Sequence, residues 1–119
     1  MRRKCNIEVH EGSDTATIEI HGDLTASAMD DMDAAYQRAY EHKPGNIMLK
    51  FDEKSRINST GIAIIINLVI DSRERGCKVF FTGMSQHFQK VFHLVGLTKY
   101  AEIVESEEDI KSEQSGEGK

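Results

Sequence analysis

Residues 58–61 read Asn-Ser-Thr-Gly, directly ahead of the aliphatic run from Ile62 to Ile70. Two hydroxyls between a side-chain amide and a glycine can do two kinds of chemistry. They can cap a helix, because short polar side chains accept from the first unpaired N–H groups. They can also take up a phosphoryl group, whose charge a helix start tolerates because its N–H groups and dipole are positive. Gly61 leaves the approach to the backbone open. Ser59 or Thr60 is the expected first cap, with Asn58 also able to supply it.

No other cluster competes with this one. A serine hydrolase needs a base and an orienting acid; His87 and His93 are present, but no G-x-S-x-G elbow and no evident oxyanion loop accompany them. Cys5 and Cys77 stand alone without C-x-x-C spacing, and the five histidines form no H-E-x-x-H pattern. Reduced thiols and the absence of a metal site or cofactor are expected. Asn58-Ser59-Thr60 is formally a glycosylation sequon, which a cytosolic chain cannot use. No catalytic residue is expected: the chain reads as a binding protein and not an enzyme.

Composition narrows the partners. With a net charge of -5, the 119-residue chain has one basic cluster, Arg2, Arg3 and Lys4. Nucleic acid is an unsuitable partner, because phosphate binding needs clustered cations on a formed surface. The longest apolar stretch, Gly61 to Ile70, is half the roughly 20 residues of a membrane span. No apolar h-region follows the basic start, so a cytoplasmic location is expected.

The elements that must hold Asn58 to Gly61 follow from periodicity. Residues 5–10 and 15–21 alternate with period two around the turn EGSD and predict a hairpin. Ala28, Met32, Ala35, Tyr36 and Ala39 recur at helical spacing behind Thr25 or Ser27 as N-cap, predicting a helix of about four turns. Residues 46–52 predict a strand with Ile47, Leu49 and Phe51 on one face. The helix opened by the Ser-Thr pair runs to about Arg75 and ends at Gly76. Because it is apolar almost all round, burial on more than one side is expected. A strand over 77–83, a third helix from Ser85 to Val95 with Phe88, Val91, Phe92 and Val95 inward, and a short strand over 102–104 complete the chain. The fold class is α/β, a mixed sheet of about four to five strands with helices packed on it, in the order β-β-α-β-α-β-α-β. The domain spans 1–111, and residues 112–119 form an acidic, polar tail expected to be disordered.

Three motifs in this order resemble the STAS domain, and in particular the bacterial anti-sigma-factor antagonists. Asn58-Ser59-Thr60-Gly61 matches the family's D-S-S-G or D-S-T-G, with Asn58 in place of the usual acid. Val91-Phe92-His93-Leu94-Val95-Gly96-Leu97 matches V-F-x-x-x-G-L, and Gly22-Asp23-Leu24 matches the G-E/D-L turn, with Thr25 where an acid often follows. The resemblance implies a partner switch. An anti-sigma factor that is also a serine kinase phosphorylates Ser59, with Thr60 the alternative. A metal-dependent serine phosphatase reverses this, and the unphosphorylated form binds the anti-sigma factor. Strand ends and adjoining helix starts on one edge of such a sheet face the same way, so the expected contact face is Asp23, Leu24, Thr25, Asn58, Ser59, Thr60, Gly61, Ile62 and Ala63. STAS modules also serve as subunits of lipid-transport ABC systems and stress-sensing assemblies, which bind partners without being phosphorylated.

Overall fold

The structure is a computed structural model that describes residues 5–105. The basic cluster Arg2-Arg3-Lys4, the boundary at residue 111 and the tail 112–119 lie outside the described residues.

Strands β1 (Asn6–Glu11) and β2 (Thr15–His21) form the hairpin, and helix α1 (Met29–Ala39) crosses to β3 (Asn46–Phe51). Helix α2 (Ser59–Glu74), strand β4 (Lys78–Thr82), helix α3 (Gln86–Leu94) and strand β5 (Glu102–Ile103) follow. The five strands lie side by side in chain order. Among the described residues only β1 and β2 are antiparallel; β2, β3, β4 and β5 are parallel neighbours, which requires a crossover between each successive pair.

Alternation along the strands divides the sheet into two faces. Ile18, Ile20, Ile47, Leu49, Phe51, Val79 and Phe81 join Met32, Ala35, Leu68, Val69 and Phe92 from the helices in the main core. Met48 and Phe80 meet Val104 in a small second cluster on the other face. Phe92 of α3 stands edge-on to Phe51 and Phe81, with ring centroids 6.0 and 5.0 Å away. Such edge-to-face pairs add to area burial because the positive ring edge meets the negative face. Leu97 is buried beside this core, so the V-F-x-x-x-G-L motif packs the fold through Phe92 and Leu97.

Three expectations need correction. The first helix is not capped by a Thr25 or Ser27 side chain: Thr25 holds the N-cap position of a 3-10 turn, Ala26–Ala28, that leads into α1, but neither start has a side-chain cap bond. The Thr25 hydroxyl is instead 2.9 Å from that of Ser27, so two would-be caps satisfy each other. Helix α2 is buried along one stripe, Gly61, Ile65, Leu68, Val69 and Ser72, and not on several sides. Its remaining apolar residues reach the surface, Ile70 being 50% exposed and Ile62, Ile64 and Ile66 half-buried. Val95 lies past the end of α3 and is 47% exposed; Phe88 and Val91 are half-buried, and only Phe92 is fully inside.

Candidate functional site

Strands β2 and β3 are parallel, so the loops that leave them emerge at one edge of the sheet. Gly22 turns the first loop with φ 94°, a left-handed conformation in which a Cβ would be strained. The two loops are then stitched together. The Leu24 amide donates to the Arg56 carbonyl at 2.8 Å, and the Asn58 amide donates to the Leu24 carbonyl at 3.3 Å. Leu24 and Ile57 thereby form an isolated parallel bridge. From the side, the Arg56 amide donates to Asp23 Oδ1 at 3.1 Å.

This stitch fixes where α2 begins. Asn58 is its N-cap in extended conformation, and Asn58 Oδ1 accepts from the Gly61 amide at 2.9 Å. The expected cap at Ser59 or Thr60 is therefore corrected: these are the first two helical residues. Only Asn58 has the extended backbone that lets a side chain reach forward to the third amide. Ser59 is exposed, Thr60 half-buried, and neither hydroxyl has a hydrogen-bond partner among the described residues. The first turn of α2 carries no acidic side chain, so the positive end of the helix is not neutralised locally.

The proposed contact residues fall into two groups. Asn58, Ser59 and Ala63 are exposed, and Thr60 and Ile62 half-buried. Asp23 (8% exposed), Leu24 (0%), Thr25 (6%) and Gly61 are buried and shape the edge from beneath, so their side chains are not presented to a partner. For Asp23 the reason is its bond to the Arg56 amide, and for Leu24 its place in the main core. The sequence did not reveal Arg56, which contributes through its main chain and so leaves no mark in residue type.

One group of side chains with the spacing of metal ligands lies elsewhere. Glu11, Glu41 and His42 bring ligand atoms within 4.8 Å of one another, all on exposed side chains at the hairpin tip and after α1. His42 Nδ1 is already 2.7 Å from Glu11 Oε1, the spacing of an ordinary surface pair. No helix among the described residues is long and apolar enough to cross a membrane.

Comparison with known proteins agrees with this fold. No curated protein matches the chain. Among solved structures, an anti-sigma factor antagonist from Mycobacterium paratuberculosis shares the fold at TM-score 0.72 and 15% identity, over 92% of both chains. The unphosphorylated form of the anti-sigma factor antagonist SpoIIAA is similar at TM-score 0.73 and 18% identity, covering 92% of this chain and 97% of that one. The phosphorylated form of the Bacillus cell fate determinant SpoIIAA gives 0.66 and 17%, covering 90% and 98%. Identities this low speak for the fold alone. The family model described as "Mlab, STAS domain" matches residues 7–105, nearly all of the described chain. The chain therefore belongs to the STAS domain family.

Proposed function

We propose that the chain is a cytoplasmic anti-sigma-factor antagonist that works by partner switching. It binds an anti-sigma factor with serine-kinase activity and controls transcription indirectly, by occupying the protein that would otherwise hold a sigma factor. The γ-phosphoryl group of ATP passes to the Ser59 hydroxyl oxygen, with Thr60 the alternative acceptor. The hydroxyl proton goes to a base of the kinase, and ADP leaves. Water, activated by a metal-dependent serine phosphatase, later attacks the phosphorus, releasing inorganic phosphate and restoring the hydroxyl. The chain itself is not an enzyme.

One observation carries this reading: Ser59 is exposed at the start of α2 and is relieved of structural duty, because Asn58 already caps the helix. A phosphate there gains about -1.5 to -2 charges at an uncompensated helix start, so the fold tolerates what a partner surface shaped for a hydroxyl does not. SpoIIAA, similar in fold, has solved structures in both forms.

A second reading keeps the edge as a binding surface but without phosphorylation, as in a STAS subunit of a lipid-transport ABC system or a stress-sensing assembly. Two observations favour it: the neutral Asn58 where the family usually has an acid, and the Mlab description of the matching family. Incubation with the candidate kinase and ATP, followed by tandem mass spectrometry, separates the two. One phosphate on Ser59, lost in Ser59→Ala, supports the switch. An unlabelled chain that still binds its partner supports the second reading.

A further inference from the structure

Helices α1 and α2 start at the same edge, because the loops preceding them are stitched together, and between them runs a groove of about 430 Å³. Its floor is apolar: Met32 and Leu68 are buried, while Met29 on the lip is 48% exposed and Ile64 half-buried. A methionine left half in water at a groove mouth is an adaptable surface for an incoming apolar side chain, since its thioether stem is unbranched and polarizable.

The rim is acidic. Asp71 on α2 and Arg75 at its C-cap neutralise each other, with Arg75 Nε 2.9 Å from Asp71 Oδ2. Asp30 and Asp33 on the α1 side are exposed and have no partner among the described residues. Two unpaired carboxylates beside an apolar trough are complementary to one kind of surface, an apolar ridge flanked by cations. A volume of about 430 Å³ is at the lower end of the range for small-molecule sites and takes only a few side chains.

From this we infer that the α1–α2 groove is a docking site for a basic amphipathic helix of a partner protein. The helix inserts apolar residues over Met29, Met32, Ile64 and Leu68 and places Lys or Arg against Asp30 and Asp33. This surface needs no phosphate on Ser59 and holds under either reading above. Because Thr60 precedes Ile64 by one helical turn, the groove opens beside the Ser59 edge, so one partner can touch both.

The test uses the full chain, isotope-labelled for NMR, titrated with a synthetic amphipathic helix of about four turns carrying leucines on one face and lysines at its flanks. Shift changes centred on Met29, Asp33, Ile64 and Asn67, together with saturable binding, are expected. A peptide of the same leucine face with glutamate flanks should bind at least about tenfold more weakly, since it meets like charge. The double variant Asp30→Lys and Asp33→Lys should show the reverse preference while keeping a native spectrum, both positions being exposed. Shift changes centred elsewhere, equal binding of both peptides, unchanged preference in the double variant, or self-association of the free chain through this groove would each overturn the proposal. Phosphorylation of Ser59 plays no part in the titration, so its failure leaves the switch reading untouched.

Discussion

The carbonyl oxygen of Leu24 stands where a side chain at position 61 would have to begin: a Cβ built on Gly61 would lie 2.3 Å from it and 2.8 Å from Ile57 Cγ2. The first atom is backbone, held by the Asn58 amide, and has no rotamer to escape into. Gly61 thus lets α2 press against the preceding loop, and the whole Ser59 edge depends on that approach. Gly61→Ala should lower stability by about 1–3 kcal/mol, the usual cost of overpacking. Urea denaturation measures it, and a wild-type midpoint would mean the loop yields without strain.

The cap offers a cleaner separation of structure from signalling. Asn58→Ala removes the acceptor for the Gly61 amide and should cost about 0.5–2 kcal/mol. Asn58→Asp keeps an acceptor, adds a charge that the helix start favours, and should stay within about 1 kcal/mol of wild type. Its phosphorylation rate should nonetheless differ, because a carboxylate would adjoin the Ser59 hydroxyl. Ser59→Ala, exposed and unbonded, should leave the urea midpoint nearly unchanged. If Ser59→Ala destabilises as much as Asn58→Ala, the assignment of the cap to Asn58 is wrong.

Tyr36 gives the fold an alkaline signature. Its hydroxyl donates to Asp71 Oδ2 at 2.5 Å and lies 3.1 Å from the Ser72 hydroxyl. Burial first, and the bond to the carboxylate second, push its pKa up to about 12. In the unfolded chain the phenol loses its proton near pH 10. The unfolded state therefore gains from deprotonation first. Tyr36 stabilises fully below about pH 10, and that contribution declines as pH rises toward 12. Tyr40, its edge-on neighbour 5.1 Å away, is pushed up as well, chiefly by burial, and adds in the same direction. Urea midpoints between pH 9 and 12 should fall, less steeply in Tyr36→Phe. Parallel curves for the two proteins would show that Tyr36 is not the group responsible.

Much of this was legible in the sequence, and the misreadings share a cause. Period-two alternation marked the hairpin, and Gly76 marked the end of α2, because these signals act through local backbone preference. Capping is local too, yet three adjacent residues could each have served. The choice of Asn58 was made by a distant contact, the stitch between Leu24 and residues 56–58, which no spacing reveals. Apolar content likewise overstated the burial of α2. Ile70 reads as core and is half exposed, since only neighbours decide how much of a helix is covered. The acids of the groove were hidden differently: Asp30 and Asp33 look like a solvated face until α2 is laid beside them.

The decisive test of the edge itself is charge at position 59. Ser59→Asp and Ser59→Glu should weaken binding to the anti-sigma factor, whereas Ser59→Ala preserves it. A carboxylate at the centre of a contact must be desolvated and gains nothing from a surface shaped for a neutral hydroxyl. The fold should not object: the first turn of α2 holds no acid, so a carboxylate there meets the positive helix end and adds a few tenths to about 1 kcal/mol of stability. A carboxylate carries less charge than a phosphate and lacks its third acceptor oxygen, so the weakening understates the effect of phosphorylation. Titration calorimetry of the three variants against the partner, with their melting curves alongside, resolves binding from folding. Tight binding by the acidic variants would remove the switch from Ser59, and so would a loss of binding matched by a loss of folding. Weak binding by an acidic variant that melts at or above the wild-type temperature is the outcome expected of the proposed switch.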